Sequence, residues 1–238
     1  MIVESSISAG VGLLALGAWY GTPLAMRARE QAALAALCRG SLVLSFDDGP
    51  APTMTPRVLR LLEQHGAHAT FFLLGRRAEQ HPDLVRAVVD AGHEVGSHSQ
   101  THAHALRSAP WTAARDATRG ASTVERLVGA RLPFRPPYGK ATLGTRLAIA
   151  PRPVGWWTID SGDTFDPLPD PGQAARALVA AGGGVVLLHD HDREELPDAE
   201  LRRAFALDVI ARLLEAADAT GLAVRRLCDL DEPLEDAA

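Results

Sequence analysis

The stretch Leu42-Val43-Leu44-Ser45-Phe46-Asp47-Asp48-Gly49-Pro50 decides how this chain folds. Its first five residues form a short, nearly continuous apolar run, the pattern of a strand covered on both faces in a parallel sheet. Two adjacent carboxylates follow at the strand's C-terminal end, where they repel each other unless a cation or a shared proton relieves them. Gly49 and Pro50 then force a turn, which keeps both acids at the mouth of the sheet. Taken alone, Asp-Asp-Gly-Pro is also a common turn composition with solvated acids, so its meaning depends on what the chain brings beside it.

Working outward, further strand-like runs alternate with longer helical patterns, which is the signature of a βα-repeating parallel sheet. With Leu42–Phe46 they are Ala69–Leu74, His93–Ser97, Leu132–Arg135, Val154–Ile159, Gly184–Leu188 and Ala223–Leu227. Helical stretches between them include Thr55–Gln64, with Val58, Leu59, Leu61 and Leu62 on a buried side, and Pro82–Ala91, stopped by Gly92. The longest runs from Leu196 to Ala219 and ends at Gly221. Residues 41–230 therefore read as one α/β domain, either a barrel of parallel strands or an open doubly wound sheet, followed by an acidic tail over 231–238.

The composition agrees with a folded chain: 238 residues, 47% hydrophobic and 22% charged, which excludes disorder as the default. A net charge of −5 without a basic run gives no footprint for a nucleic-acid backbone. Cys38 and Cys228 share no CxxC spacing, excluding a disulfide scaffold and a cysteine-built zinc site and leaving open whether they pair. Before the domain, Ser5–Met26 lacks any charge and carries the apolar run Val11–Tyr20. We read residues 1–30 as an uncleaved membrane anchor, although glycines dilute it and a helix packed on the domain is the alternative. Arg27 and Arg29 after the span and Glu4 before it lean toward a domain on the cytoplasmic side.

Four more strand ends carry chemistry. His98-Ser99-Gln100-Thr101-His102 places two imidazoles four apart, a spacing that stacks them on one helical turn. With a carboxylate from another strand end they make a two-histidine, one-aspartate set that leaves a position free, the form of a catalytic zinc site, while all-oxygen ions such as calcium are disfavoured. His93 and His104 are ligands or bystanders. In Arg135-Pro136-Pro137-Tyr138-Gly139 the prolines bar a regular helix and expose the backbone around Tyr138, whose N–H suits an oxyanion, while the arginine suits a carboxylate. The same residues also make a plain rigid turn. Trp157-Thr158-Ile159-Asp160-Ser161-Gly162-Asp163 brings a further acid, which is also the residue type of a helix cap. Val185-Val186-Leu187-Leu188-His189-Asp190 ends a buried strand on a histidine whose protonated form a neighbouring aspartate would favour.

In chain order SFDDGP, HSQTH, RPPYG, WTIDSGD and LLHD resemble the five motifs of the NodB-type polysaccharide deacetylases, carbohydrate esterase family 4, over about Ser41–Leu230. The resemblance implies a distorted (β/α)7 barrel and a hydrolase that removes the N-acetyl group of N-acetylglucosamine-type sugars in envelope glycans. It implies one divalent ion, Zn2+ first and Co2+ or Ni2+ as substitutes, held by Asp48, His98 and His102. Asp47 would be the general base, Arg135 would orient it, and the Tyr138 N–H would stabilise the oxyanion. His189 would protonate the leaving amine, Asp163 would hold His189 charged, and Trp157 and Leu187 would wall the acetyl pocket. The implied partner is an N-acetylated glycan and the implied location the cell envelope, with attachment through the N-terminal segment.

This chain departs from the family pattern at three places. Ser45 replaces the usual threonine, Thr164 stands where the family often has tryptophan, and His191-Asp192 follows the fifth motif. Two other readings use the same residues: a deformylase or deacetylase of a lipid-linked sugar, and a non-catalytic glycan binder on the same barrel.

Overall fold

The computed structural model of the protein describes residues 17–231. Most of the apolar run expected to span a membrane, and the acidic tail beyond Asp231, lie outside them. Among the described residues no helix is long and apolar enough to cross a membrane.

Six short strands form one parallel sheet: β1 (Ser41–Asp47), β2 (Thr70–Leu73), β3 (Glu94–Ser97), β4 (Ile159–Asp160), β5 (Gly184–His189) and β6 (Ala223–Val224). The order is β3-β2-β1-β5-β4, and β6 pairs with the start of β1. Phe134 closes the ring, bridging Ser97 on one side and Val154 on the other. Each of the seven expected strands thus has a place around a distorted (β/α)7 barrel. Three of them are reduced: Ala223–Leu227 to the two residues of β6, and, next to prolines, Leu132–Arg135 to the single bridge at Phe134 and Val154–Ile159 to a bridge and β4. Proline explains the latter two: Pro133, Pro136, Pro137, Pro151 and Pro153 flank these segments and have no N–H for the ladder.

Eight α-helices among the described residues surround the sheet: α1 (Thr22–Leu37), α2 (Met54–Gln64), α3 (Gly75–Gln80), α4 (Pro82–Asp90), α5 (Pro110–Val128), α6 (Leu143–Ile149), α7 (Gln173–Ala181) and α8 (Ala199–Thr220). Period-two alternation sorts β1 between two cores. Leu42, Leu44 and Phe46 join Val58 and Leu62 of α2 and Val209, Ile210 and Leu213 of α8 in the outer core. Val43 turns into the barrel with Val185, Cys38 and Leu230. Continuing along that inner face come Ser45 and Asp47, so the same alternation that buries the apolar side chains delivers an acid to the barrel mouth. Cys38 and Cys228 are both free thiols, one buried and one exposed.

Helix α1 lies on the barrel through one stripe. Pro23, Arg27, Glu30, Gln31, Leu34 and Cys38 are its buried or half-buried positions, recurring at helical spacing.

Candidate active site

Asp47 is the last residue of β1 and is buried beside Arg135, whose side chain is fully enclosed. Arg135 Nη1 donates to Asp47 Oδ1 at 2.8 Å and to Ser45 Oγ at 3.0 Å. Its other nitrogens donate to Gly155 O at 3.2 Å and Trp156 O at 3.1 Å, and the guanidinium lies 4.0 Å from the Phe72 ring centroid. Every edge of the guanidinium plane is therefore used, and Asp47 is fixed in orientation. Ser45 serves as a threonine hydroxyl would, donating to Val186 O at 2.8 Å while accepting from Arg135.

The next residue, Asp48, takes a left-handed backbone (φ 71°) that swings its side chain toward the histidines. Its Oδ1 lies 3.4 Å from His102 Nε2 and 3.8 Å from His98 Nε2, and the three ligand atoms fall within 4.8 Å of one another. His98 Nδ1 sits 2.8 Å from Arg135 O. A carbonyl only accepts, so Nδ1 carries a proton, and Nε2 is the ring nitrogen turned toward the carboxylates. Burial foremost pushes His102 down to about 4, against the pull of Asp48, and keeps it neutral. For Asp48 burial acts upward, but His98, His189 and His102 outweigh it and hold the carboxyl at about 2. Asp48 Oδ1 is buried and makes no hydrogen bond. An orphan carboxylate oxygen facing the Nε2 atoms of two histidines fits a divalent cation, and the nitrogen-rich donor set fits zinc better than calcium.

The two histidines do not stack on a helical turn as their spacing suggested. They lie on a loop with left-handed residues at Ser99 (φ 71°) and His102 (φ 65°). The loop is built from outside: Gly75 N–H donates to Ser99 O at 2.9 Å and Arg76 N–H to Gln100 O at 3.0 Å. The Asp116 carboxylate accepts from the backbone of Thr101 and Ala103. Neither of the other two histidines in question joins the cluster. His93 accepts Ala69 N–H at 3.2 Å, and His104 stacks on Tyr138 at 4.7 Å.

His189 ends β5 in register with Asp47 of β1, so the two project from neighbouring strands at one level. Asp163 holds it twice, Oδ1 against His189 Nδ1 at 2.8 Å and Oδ2 accepting the His189 N–H at 2.8 Å. Burial lowers the imidazole's affinity for protons, but the Asp163 carboxylate overrides it and raises His189 to about 9. Tyr138, also left-handed (φ 57°), tops a 3-10 turn over Pro137–Gly139. That turn is closed by Gly139 N–H to Pro136 O and Lys140 N–H to Pro137 O, and neither bond uses the Tyr138 N–H. Its ring lies 4.4 Å from His102 at the rim. Leu187 is buried on β5 opposite Ser45, and Trp157 packs on the inner barrel cluster.

Comparison with known proteins agrees with this geometry. A family model described as polysaccharide deacetylase matches residues 36–151. A peptidoglycan-N-acetylglucosamine deacetylase of Bacillus cereus is 38% identical over 160 residues, covering 65% of this chain and 75% of that one. The chain belongs to the polysaccharide deacetylase family. A chitooligosaccharide deacetylase of Sinorhizobium fredii is 32% identical over 198 residues, covering 79% and 90% of the two chains. A family 4 carbohydrate esterase from Streptomyces lividans superposes with a TM-score of 0.65 at 32% identity, covering 78% of this chain and 92% of that one.

Within this deacetylase barrel two acids that follow the fifth motif's histidine, named in the sequence without a role of their own, take places the sequence did not disclose. Asp190 is wholly buried and accepts from Thr55 Oγ1 at 2.5 Å. Burial, with Asp48 nearby, pushes it up to about 7. Asp192 accepts the N–H groups of Thr53 at 3.0 Å and Met54 at 2.7 Å, capping α2 from across the sequence. Asp192, part of the His191-Asp192 departure from the family pattern, is thus a helix cap, a use the sequence did not suggest. His191 meets Arg77 Nη2 at 2.9 Å.

Proposed function

We propose that the protein is a metal-dependent hydrolase that removes the acetyl group from N-acetylglucosamine-type units of an envelope glycan. One observation carries the reading: an arginine-braced carboxylate and an aspartate-braced histidine stand in register on adjacent strands beside an aspartate–histidine–histidine cluster. Amide hydrolysis needs a base for the attacking water, charge stabilisation on the carbonyl oxygen and a proton for the amine. Asp48, His98 and His102 would hold the ion, with zinc the choice their donor set supports best. Zinc bound there supplies Lewis acidity and makes nearby water a better nucleophile at neutral pH.

The side chains divide the remaining work. Asp47, aimed by Arg135, accepts a proton from the attacking water. The Tyr138 N–H donates to the oxygen that becomes negative. Protonated His189 gives its Nε2 proton to the amine nitrogen as the C–N bond breaks, so water and amide become acetate and amine. Asp163 keeps that proton on His189 until it is needed. Leu187 and Trp157 would bound the space for the acetyl methyl. The glycan sources named for the two relatives, peptidoglycan and chitooligosaccharide, are the substrates to try first. An envelope location, with attachment through the apolar stretch that ends near Tyr20, suits either.

The test strips the purified protein of metal, restores zinc, and follows acetate release from chitooligosaccharides and from peptidoglycan, beside an Asp47→Asn variant. Zinc-dependent release, abolished by chelator and by Asp47→Asn, is the expected result. Zinc binding with no acetate from either polymer would turn the reading toward a lipid-linked sugar. Failure to bind zinc would sink the site and favour a non-catalytic binder.

A further inference from the structure

Three side chains on successive turns of α1 reach across to the loops that form the site. Arg27 Nη1 donates to Gly139 O at 2.6 Å. Gln31 Nε2 donates to Trp157 O at 2.9 Å, and Glu30 Oε2 accepts from Trp156 Nε1 at 2.7 Å. The Arg27 guanidinium is further held by Gln31 Oε1 at 3.2 Å and lies 5.1 Å from the ring centroids of both Trp156 and Trp157. It is thus a pre-oriented donor aimed at one backbone carbonyl.

That carbonyl belongs to a strained turn. Tyr138 and Gly139 are consecutive left-handed residues, φ 57° and 61°, a conformation a tyrosine adopts only when its surroundings impose it. A Cβ on residue 139 would stand 2.7 Å from Arg27 Nη1 and 2.7 Å from the Trp157 ring, so glycine is what admits the guanidinium to the carbonyl. Within the turn, Gly139 and Lys140 bond back to Pro136 and Pro137, both rigid but neither able to donate an N–H. Among the described residues the brace that comes from outside the loop onto Gly139 O is Arg27.

We propose that Arg27 is a positioning residue for the oxyanion donor. By holding Gly139 O it keeps the Tyr138 turn left-handed and its N–H aimed at the site, and so couples turnover to the docking of the N-terminal helix. This rests on the role proposed above for the Tyr138 N–H. Removing the brace misplaces a donor instead of deleting it. The loss in kcat should therefore be about tenfold or somewhat more, short of the ~10²–10³ that follows loss of an oxyanion donor outright.

The test compares Arg27→Ala, Arg27→Lys and Gln31→Ala in the full zinc-loaded chain, measuring kcat, KM, zinc affinity and melting temperature, with Asp47→Asn as reference. It also follows the Tyr138 amide resonance in the zinc-free protein. The expected result is a lowered kcat for Arg27→Ala with KM within about twofold and zinc affinity unchanged. Arg27→Lys, which can still donate to the carbonyl, should recover much of it, and the Tyr138 amide should shift in the alanine variant alone. If Asp47→Asn abolishes turnover while Arg27→Ala keeps the parent kcat, the positioning role is overturned and the deacetylase reading stands. If Arg27→Lys and Gln31→Ala fall as far as Arg27→Ala together with melting temperature, the helix is a general structural support and the inference also fails. If Asp47→Asn leaves turnover unaltered, the functional reading itself is what has failed.

Discussion

Arg135 and Asp47 form an ion pair at 2.8 Å in which the arginine side chain is wholly enclosed and the aspartate nearly so. Removing one member of such a pair leaves the other charge buried without compensation, which typically costs about 3–5 kcal/mol. Arg135→Met should therefore lose that order of stability in urea unfolding. The double variant Asp47→Asn/Arg135→Met should regain a good part of it, because no lone charge remains. A single variant no less stable than the double one would show that Asp47 is not held by this pair. Burial pulls the guanidinium's proton affinity down, and the neighbouring Asp47 works against that pull.

On the mechanism proposed above, His189 should set the alkaline side of the pH profile. Its folded-state value of about 9 lies above the ordinary imidazole value near ~6.5. The stabilisation from the Asp163 pair is thus fully present below ~6.5 and is lost as pH rises through about 9. The proton donor is lost over the same range. Asp163→Asn should move the imidazole titration of the zinc-free protein downward, read by NMR. Adding zinc should lower it in the parent as well, because positive charge arrives beside it. A titration that ignores both changes would refute the assignment of Asp163 as the group that keeps His189 charged.

Asp192 offers a separate stability test. It satisfies the Thr53 and Met54 N–H groups at the start of α2. Asp192→Ala should cost about 0.5–2 kcal/mol, the range for losing a carboxylate cap, while Asp192→Asn keeps most of the stability. Zinc affinity should be the same in all three proteins. A large fall in zinc affinity for the alanine variant would mean that this acid serves the metal cluster and not the helix.

What the sequence discloses here is what local chemistry encodes. β1 and β5 are legible because unbroken apolar runs lead straight into Asp47 and His189, and strand ends in a parallel sheet converge on one face. The segments around Phe134 and Val154 are placed correctly and drawn too long, because their prolines stop the ladder after single bridges. The histidine pair is legible as a pair, but its geometry depends on Asp116 and on the start of α3, which no spacing rule within HSQTH contains. Gly120 carries no local signal at all, and what is local at Arg27, a charge after an apolar span, and at Asp190, the end of a motif, says nothing of the contacts they make. Each matters through a contact with residues far away in the chain.

Gly120 makes the last point testable. It sits inside α5 directly beneath the loop that carries His98 and His102, where an added Cβ would overlap the Ser99 carbonyl and the Gln100 nitrogen. In an ordinary helix interior Gly→Ala stabilises by about 1 kcal/mol, since alanine is the better helix former. Here the loop above cannot retreat freely: Ser99 O and Gln100 O are bonded to the start of α3, and Gln100 N–H to Asp116 O at 3.0 Å. The methyl must push the loop outward, carrying His98 and His102 on either side of Ser99 away from Asp48. Gly120→Ala should therefore lower stability against the helix-propensity expectation and weaken zinc binding by at least about tenfold. Gly129→Ala serves as the control for the cost of a left-handed glycine at a helix end with open space around it (φ 79°), where zinc binding should not change. Calorimetric zinc titration of the two variants decides the matter. Unchanged zinc affinity in Gly120→Ala would mean that the loop tolerates displacement and that the close approach of Ser99 to α5 does not set the geometry of the cluster.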